Sequence, residues 1–291
     1  MSFLNFLING ISLGSIYAII ALGYTIVYGI SKMLNFAHGD VIMVGAYICF
    51  FALTRSDLPP VVCLALAMLT CMVLGMVIEK LAYKPLRQAT SLAVLITAIG
   101  VSYLLQNGAL LLWTANPKVF PSIVGDGKIQ LGNIVISHVT LVTIVACIVI
   151  MVAMTLFTSR TKMGKAMRAC SEDKAAAQLM GINVDATISM TFVIGSGLAA
   201  VAGVLLCSTY PTLVPTTGSM PGIKAFTAAV FGGIGSIPGA FLGGLLLGVI
   251  EIFAKAYIST QVSDAIVFAV LIIVLLVKPS GLLGKLTREK V

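Results

Sequence analysis

Long apolar stretches follow one another along almost the whole chain, and they constrain the fold more than any other feature. The hydrocarbon core of a bilayer is about 30 Å thick, so a helix needs about 20 apolar residues to cross it. We predict spans at Leu7–Ile30, Phe36–Leu53, Pro60–Ile78, Leu92–Trp113, His138–Phe157, Ala186–Cys207 and Ser263–Val277. The expected fold is therefore an all-α polytopic membrane protein, a single domain over residues 1–291 with about 7–9 transmembrane helices that include broken or re-entrant segments.

The overall composition excludes a soluble protein. Of 291 residues, 59% are hydrophobic and 10% are charged, and the mean hydropathy is +1.10. That leaves too little polar surface to cover a water-exposed exterior. The net charge of +8 indicates positive membrane loops and not nucleic-acid binding, because no basic face carries interleaved aromatics. The cysteines lie mostly in apolar runs without disulfide or metal spacing, so no metal site is expected.

The positions of Lys and Arg predict the orientation, since basic loops face the cytoplasm. The first 31 residues carry no cation, and they lack a cleavable signal, so we expect a retained first span with its N-terminus outside, on the periplasmic side. The C-terminus should be cytoplasmic. The basic segments are Lys80–Thr90, Arg160–Asp185 and the tail from Lys278, with Lys285, Arg288 and Lys290.

Residues 222–256 form an apolar region that is too long for one straight span. Its neighbours require it to start and finish on the outer side, which predicts a re-entrant or double-crossing hairpin. Its centre, Gly232–Gly239, is the densest helix-breaking cluster in the chain. No Gly-x4-Gly-Lys-Ser/Thr sequence is present, so this is not a nucleotide-binding loop.

Two interpretations of this glycine break remain open. Irregular backbone at membrane depth is tolerated when it lines a water-filled cavity or is buried in protein. In the first case the break belongs to the translocation pathway, with Gly232, Gly235, Ser236 and Pro238 as candidate residues. In the second it serves close helix packing, as the four-residue spacing of small residues indicates: Gly235, Gly239 and Gly243, then Gly244 and Gly248.

A second break, Asn35–Asp40, interrupts the apolar pattern between the first two spans. Ionisable residues near hydrocarbon are costly unless they are paired, face a cavity or lie at the interface. Asn35, His38 and Asp40 are therefore candidates for a gate or a polar patch on the conduction path. The alternative is a cytoplasmic turn with solvated side chains. One His and one Asp do not make a metal site.

The segment Arg160–Asp185, with a candidate docking loop at about residues 159–186, is the one long polar interruption. We expect a short helix capped by Ser171, with Glu172 and Asp173 at its positive end and a left-handed stop at Gly181. Its apolar face would be Ala175, Leu179 and Ile182. Two interpretations remain open: a helix that a soluble partner binds, or an ordinary basic loop.

Charged residues also occur on the glycine-rich hairpin. Glu251 and Lys255 have the spacing of a helical ion pair, which we interpret as structural. Lys224 is expected at the membrane interface.

Four motifs in order resemble the branched-chain amino acid ABC permeases of the LivH type, over nearly the whole chain. The first comprises Gly14–Ala18, Gly23–Gly29 and Asn35–Asp40. The others are Ala169–Asn183, similar to that family's ATPase-docking loop, then Phe226–Ala240 and Lys278–Gly284.

The resemblance implies an ABC importer permease fold in a bacterial inner membrane, transporting leucine, isoleucine or valine. The implied partners are a second permease subunit of the M type, two ATPase subunits and a periplasmic substrate-binding protein. ATP would be bound by the partners, so this chain would need no cofactor and would have no catalytic residue. The implied ATPase-docking residues are Ser171, Glu172, Ala175, Ala176, Leu179 and Gly181.

Other functions stay open at this point. Members of this family also carry urea or short amides, so the substrate could be another small amide or amino acid. A stand-alone channel or secondary transporter would work without an ATPase, and only loosely comparable breaks near Gly39 and Gly235 favour it. A membrane enzyme has little support, because the two histidines, His38 and His138, complete no catalytic constellation.

Overall fold

Helices make up most of the described chain, because a helix satisfies its own backbone hydrogen bonds in hydrocarbon. The computed structural model describes residues 3–56, 58–125, 127–131 and 134–284. Its helices are α1 (Phe3–Ser31), α2 (His38–Arg55), α3 (Pro60–Ile78), α4 (Ser91–Trp113), α5 (His138–Arg160), α6 (Lys162–Glu172), α7 (Lys174–Leu179), α8 (Val184–Thr209), α9 (Ser219–Gly232), α10 (Ile237–Tyr257) and α11 (Ser263–Val277). A π-helical turn, Glu79–Tyr83, and a 3-10 turn, Lys84–Leu86, continue α3.

Six of these helices are long and apolar enough to cross a bilayer: α1, α3 with its continuation to Leu86, α4, α5, α8 and α10. Among the described residues, α2, α9 and α11 add three shorter apolar helices. The predicted all-α polytopic class is confirmed, and each predicted span corresponds to a helix. The 14 residues of α9 rise only about 21 Å, which is less than a bilayer crossing.

The central helix of the bundle is α1. Every residue from Ser12 to Val27 is buried, and α1 contacts α5, α8, α9 and α10. By contrast, α3, α4 and α5 leave most of their apolar surface exposed, as suits contact with lipid or another membrane subunit.

Small residues bring α1 and α10 to backbone contact. A Cβ added at Gly248 would overlap the backbone of Gly14, and one at Gly244 would overlap the backbone of Ala18. The predicted packing role of this glycine row is therefore confirmed.

The predicted hairpin of residues 222–256 is formed by α9 and α10, over Ser219–Tyr257. Residues 233–236 connect the two helices, which run antiparallel. The hairpin has one short leg, α9, and one full-length leg, α10, and its turn lies beside Gly29, near the end of α1.

Short strands, which the sequence patterns did not predict, occur in the two connections after α4 and α8. β1 (Lys118–Val119) pairs antiparallel with β4 (Thr212–Leu213), and β2 (Lys128–Leu131) pairs with β3 (Ile134–Ser137). The β1–β4 pair joins the connection after α4 to the one after α8.

The opposite end of the bundle, which we name the α7 end, carries the end of α1, the turns Glu79–Leu86 and α7. Two of the predicted basic segments lie there. The third begins at Lys278, and its cations Lys285, Arg288 and Lys290 lie outside the described residues.

Candidate functional site

The helix predicted near Ser171 begins two residues later than expected. Asp173 has extended backbone angles and ends α6, and its Oδ1 accepts hydrogen bonds from the N–H groups of Ala175 at 2.8 Å and Ala176 at 3.0 Å. The prediction that Ser171 is the cap is wrong. Its hydroxyl lies inside α6 and donates to the carbonyl of Arg168 at 2.7 Å.

Glu172 also has a different position from the one predicted. It is the last residue of α6, so its carboxylate lies at the negative end of that helix and not at the positive end of α7. The polar segment contains two helices where the sequence indicated one, because serine and aspartate are both common caps and the sequence does not separate them.

The predicted stop at Gly181 is confirmed. Its φ is +82°, in the left-handed region, and the next N–H, from Ile182, donates to the carbonyl of Ala177 at 3.0 Å. Glycine occupies this conformation at no steric cost, so α7 ends sharply here.

One face of α7 is exposed and partly apolar. Ala175 and Ala176 are exposed, Leu179 and Met180 are 88% and 83% exposed, and only Ala177 is buried. Ile182, which we placed on the same face as Leu179, is half-buried. Small and apolar side chains on a water-facing helix are typical of a protein-binding surface.

Ion pairs and hydrogen bonds connect α7 to the membrane helices. Lys174 Nζ donates to the carbonyl of Ser31, at the end of α1, at 2.8 Å. Arg87 pairs with both Glu79 and Asp185, and so joins the turns after α3 to the start of α8. A cavity of about 820 Å³ lies between these groups and α7. Burial and the nearby cations of Arg87 and Lys32 lower the pKa of Lys174 from its usual value.

The break at Asn35–Asp40 lies inside the bundle. His38 is 1% exposed and Asp40 is 2% exposed, so the alternative of a solvated turn is wrong. The imidazole of His38 packs on Tyr24, with ring centroids 4.6 Å apart, and occupies the space that a side chain at Gly23 would need. Gly23 lies eight residues before the end of α1, which is a rise of about 12 Å. The chain therefore re-enters the bundle between α1 and α2.

The starts of α2 and α9 meet at this depth. A Cβ added at Gly218 would overlap the backbone of Gly39, and one at Gly222 would also press on it. Asp40 lies in the first turn of α2 and Ser219 in the first turn of α9. Two helix N-termini, with their positive dipole ends, therefore converge near one carboxylate.

We name the side chains at this junction the Asp40 cluster: Asp40, Ser102, Gln106 and Ser219. The amide Nε2 of Gln106 donates to Asp40 Oδ1 at 2.8 Å and lies 3.3 Å from the hydroxyls of Ser102 and Ser219. The sequence analysis missed Ser102, Gln106 and Ser219. The polar Gln106 inside an apolar span was the signal that could have identified the cluster. Asn35 is separate from it, since its Oδ1 accepts from Tyr83 at 2.9 Å.

We had expected the glycine break at membrane depth, but it lies at the α7 end. Gly235 lies close to Gly29, two residues before the last residue of α1. Gly233 and Gly235 have φ values of +105° and +95°, which favour glycine. Ser236 caps α10, because its hydroxyl accepts from the N–H of Gly239 at 3.2 Å, and Pro238 lies in the first turn.

Backbone atoms of neighbouring segments pack directly against this break. Leu282 and Leu283 donate to the carbonyls of Phe231 and Gly232, each at 2.9 Å. A Cβ added at Gly232 would overlap the backbone of Gly239, and one added at Gly239 would overlap the backbone of Gly232. These contacts favour the packing interpretation of the glycine break over the pathway interpretation.

The charges on the hairpin form a buried network. The predicted pair of Glu251 and Lys255 is present, with an oxygen–nitrogen distance of 2.6 Å. Glu251 is 1% exposed and also accepts from Lys224 at 2.8 Å and from Tyr17 at 2.8 Å. Lys224 is therefore buried and ion-paired, and its predicted interfacial position is wrong, because Glu251 and Asp264 together compensate its charge.

Six apolar helices long enough to cross a bilayer, packed around the buried α1, define a multi-pass membrane protein. The family model for the branched-chain amino acid transport system permease component matches residues 6–275, and the chain belongs to this family.

Close full-length relatives are permease proteins. The chain is 46% identical to the high-affinity branched-chain amino acid transport system permease protein BraD of Pseudomonas aeruginosa, covering 99% of this chain and 98% of that protein. It is 45% identical to LivH of Escherichia coli, with the same coverage. It is also 29% identical to a probable LivH of Methanocaldococcus jannaschii, covering 93% of this chain and 89% of the relative.

A solved structure shares the fold. It is PsaBC from Streptococcus pneumoniae in complex with Fab, with a TM-score of 0.51 over 95% of this chain and 92% of that chain, at 14% identity. At this identity the likeness concerns the fold alone.

Proposed function

We propose that this chain is the permease subunit of a binding-protein-dependent ABC importer that carries leucine, isoleucine or valine into the cell. The observation that carries this proposal is the similarity over the full length to permease proteins named for high-affinity branched-chain amino acid transport. The chain itself would not be catalytic, since ATP would be bound and hydrolysed by partner subunits, and it would need no cofactor of its own.

The proposed complex contains a second permease subunit of the M type, two ATPase subunits and a periplasmic substrate-binding protein. The exposed apolar faces of α3, α4 and α5 support a membrane partner in addition to lipid. The basic segments at the α7 end support a cytoplasmic location for that end. The N-terminus would then be periplasmic in a bacterial inner membrane, and the C-terminus would be cytoplasmic.

The ATPase would dock on α7. Glu172, Ala175, Ala176 and Leu179 are exposed there, and Gly181 ends the helix. The hydroxyl of Ser171 is bonded within α6, so we assign the capping role to Asp173.

The bond from Lys174 to Ser31 gives docking a direct route into the membrane. It connects α7 to the end of α1, from which the chain re-enters the bundle towards His38. ATP binding can shift the access equilibrium only by its differential affinity for the two states, so docking must favour one arrangement of these helices.

The Asp40 cluster would belong to the translocation pathway. It offers a carboxylate for the amino group of the substrate, and the start of α9 offers a positive dipole for its carboxylate. Asn35 and His38 would hold the re-entrant segment in place. Gly232, Gly235, Ser236 and Pro238 would shape the hairpin beside the pathway, without contacting the substrate.

Purification of the tagged chain from membranes tests the assembly, with identification of the proteins that remain bound. We expect an ATPase subunit and a second permease. Ala175→Trp should remove the ATPase and leave the second permease, because it places a bulky ring on the exposed face of α7. Asn116→Trp, at an exposed position of the connection after α4, is the matched control and should retain both.

Recovery of the chain alone, in a detergent that preserves related complexes, would favour a stand-alone channel or secondary transporter. Uptake of urea or a short amide, without uptake of leucine by the intact complex, would contradict the proposed substrate class.

A further inference from the structure

A second cavity, of about 330 Å³, lies between the end of α1, the start of α4 and the start of α7. Three cations line it, Lys32, Arg87 and Lys174, and its lining contains no carboxylate. Apolar side chains, including Leu34, Val94 and Leu95, line the rest. The cavity therefore joins a positive region to an apolar one.

The positive charge of this cavity is only partly compensated. Arg87 pairs with Glu79 and Asp185, and Asp185 is shared with Lys84. Both nearby carboxylates are thus already occupied by cations.

Lys32 and Lys174 have no carboxylate partner within the described part of the chain. Lys174 donates to a backbone carbonyl, and Lys32 is exposed. The lowered pKa of Lys174, caused by burial and then by Arg87 and Lys32, indicates that these charges repel one another. An anion between them would offset this repulsion.

One unpaired donor and one helix N-terminus also belong to the residues around this cavity. The Nε of Arg87 is buried and has no acceptor among the described residues. The N-terminus of α4, with Ser91 at the cavity, adds the positive end of a helix dipole.

We propose that this cavity binds the phosphate of an anionic membrane phospholipid, with the glycerol and acyl groups on the apolar side. The cavity lies where α1 ends and α4 begins, at the level expected for headgroups. Basic cavities between membrane helices are suited to such headgroups. The apolar lining favours a lipid over free phosphate.

Native mass spectrometry of the delipidated full-length chain tests this, with phosphatidylglycerol or phosphatidylcholine added back. Lys32→Asn is the diagnostic variant, because it removes a charge and suits the φ of +60° at this position. We expect it to weaken phosphatidylglycerol binding about fivefold, the effect of one cation near an anionic surface. Lys165→Asn, on the exposed face of α6, is the charge-matched control and should bind like the wild type.

The melting temperatures without lipid verify that both variants fold. Equal retention of phosphatidylcholine, or equal weakening by Lys165→Asn, would overturn the proposal. A thermal shift with inorganic phosphate as large as that with phosphatidylglycerol would assign the cavity to free phosphate and overturn the lipid assignment.

Discussion

The two breaks in the membrane helices use different chemistry. At the glycine break, Gly232 and Gly239 contact each other through backbone atoms, and the segment after α11 covers the inner side. At the break before α2, polar side chains gather around Asp40. A break made of glycines brings backbones together, whereas a break made of polar residues leaves functional groups available.

Depth is the second difference between the breaks. The glycine break lies beside Gly29, in the last turn of α1, while His38 lies opposite Gly23, about 9 Å further into the bundle. A polar group is costly at that depth unless it has partners, and Gln106 is the partner that Asp40 has there.

The largest effect should come from filling the glycine break. Gly233→Leu would place a side chain at a φ of +105° against the backbone of Gly284. We expect destabilisation by more than about 3 kcal/mol and loss of the protein from the membrane complex. Gly100→Leu, where an added Cβ meets nothing within 4 Å, is the control and should reach the membrane at the normal level. Normal levels of both variants in the membrane would contradict the packing role.

Neutralising the polar break should strongly reduce transport while leaving assembly intact. Asp40→Asn keeps an oxygen acceptor for Gln106 but removes the charge that would bind the amino group of the substrate. A charged hydrogen bond contributes about 1.5–3 kcal/mol, so ATP-dependent leucine uptake should fall about tenfold to a hundredfold. Membrane levels and ATPase co-purification serve as the controls. Wild-type uptake would remove the Asp40 cluster from the pathway.

A pair of serine substitutions gives the smallest and most selective contrast. Ser236→Ala removes the cap of α10 and should lower stability by about 1 kcal/mol without changing leucine uptake. Ser219→Ala should lower uptake a few-fold without changing the melting temperature, since its hydroxyl lies in the Asp40 cluster. Identical behaviour of the two variants would mean that the breaks do not differ in function.

The apolar pattern predicted the fold class and the helices because bilayer thickness fixes their length. It did not predict the depth of either break. The depth of each break depends on where α9 begins and on how the chain returns into the bundle after α1. Apolar residues flank both regions, so the apolar pattern does not show how deep either break lies. The contact of Gly39 with Gly218, at the start of α9, was not predicted either, because the two residues lie far apart in the chain.

The candidate sites were predicted unevenly for a related reason. Gly181 was identified because a left-handed stop has a distinctive residue. Ser171 was assigned the cap that belongs to Asp173, because neighbouring residues compete for this role. Gln106 and Ser219 were missed because they lie far from Asp40 in the chain, and only the tertiary structure brings them together.

Cysteine labelling in the intact transporter tests the central claim most directly. Ser219→Cys and Ser236→Cys would each be treated with a water-soluble thiol reagent, with and without leucine and binding protein. The six native cysteines are buried, so the wild type provides a low background. We predict that substrate and binding protein change labelling at position 219 and leave position 236 unchanged. A response at position 236, with none at position 219, would contradict the account and place the pathway at the glycine break.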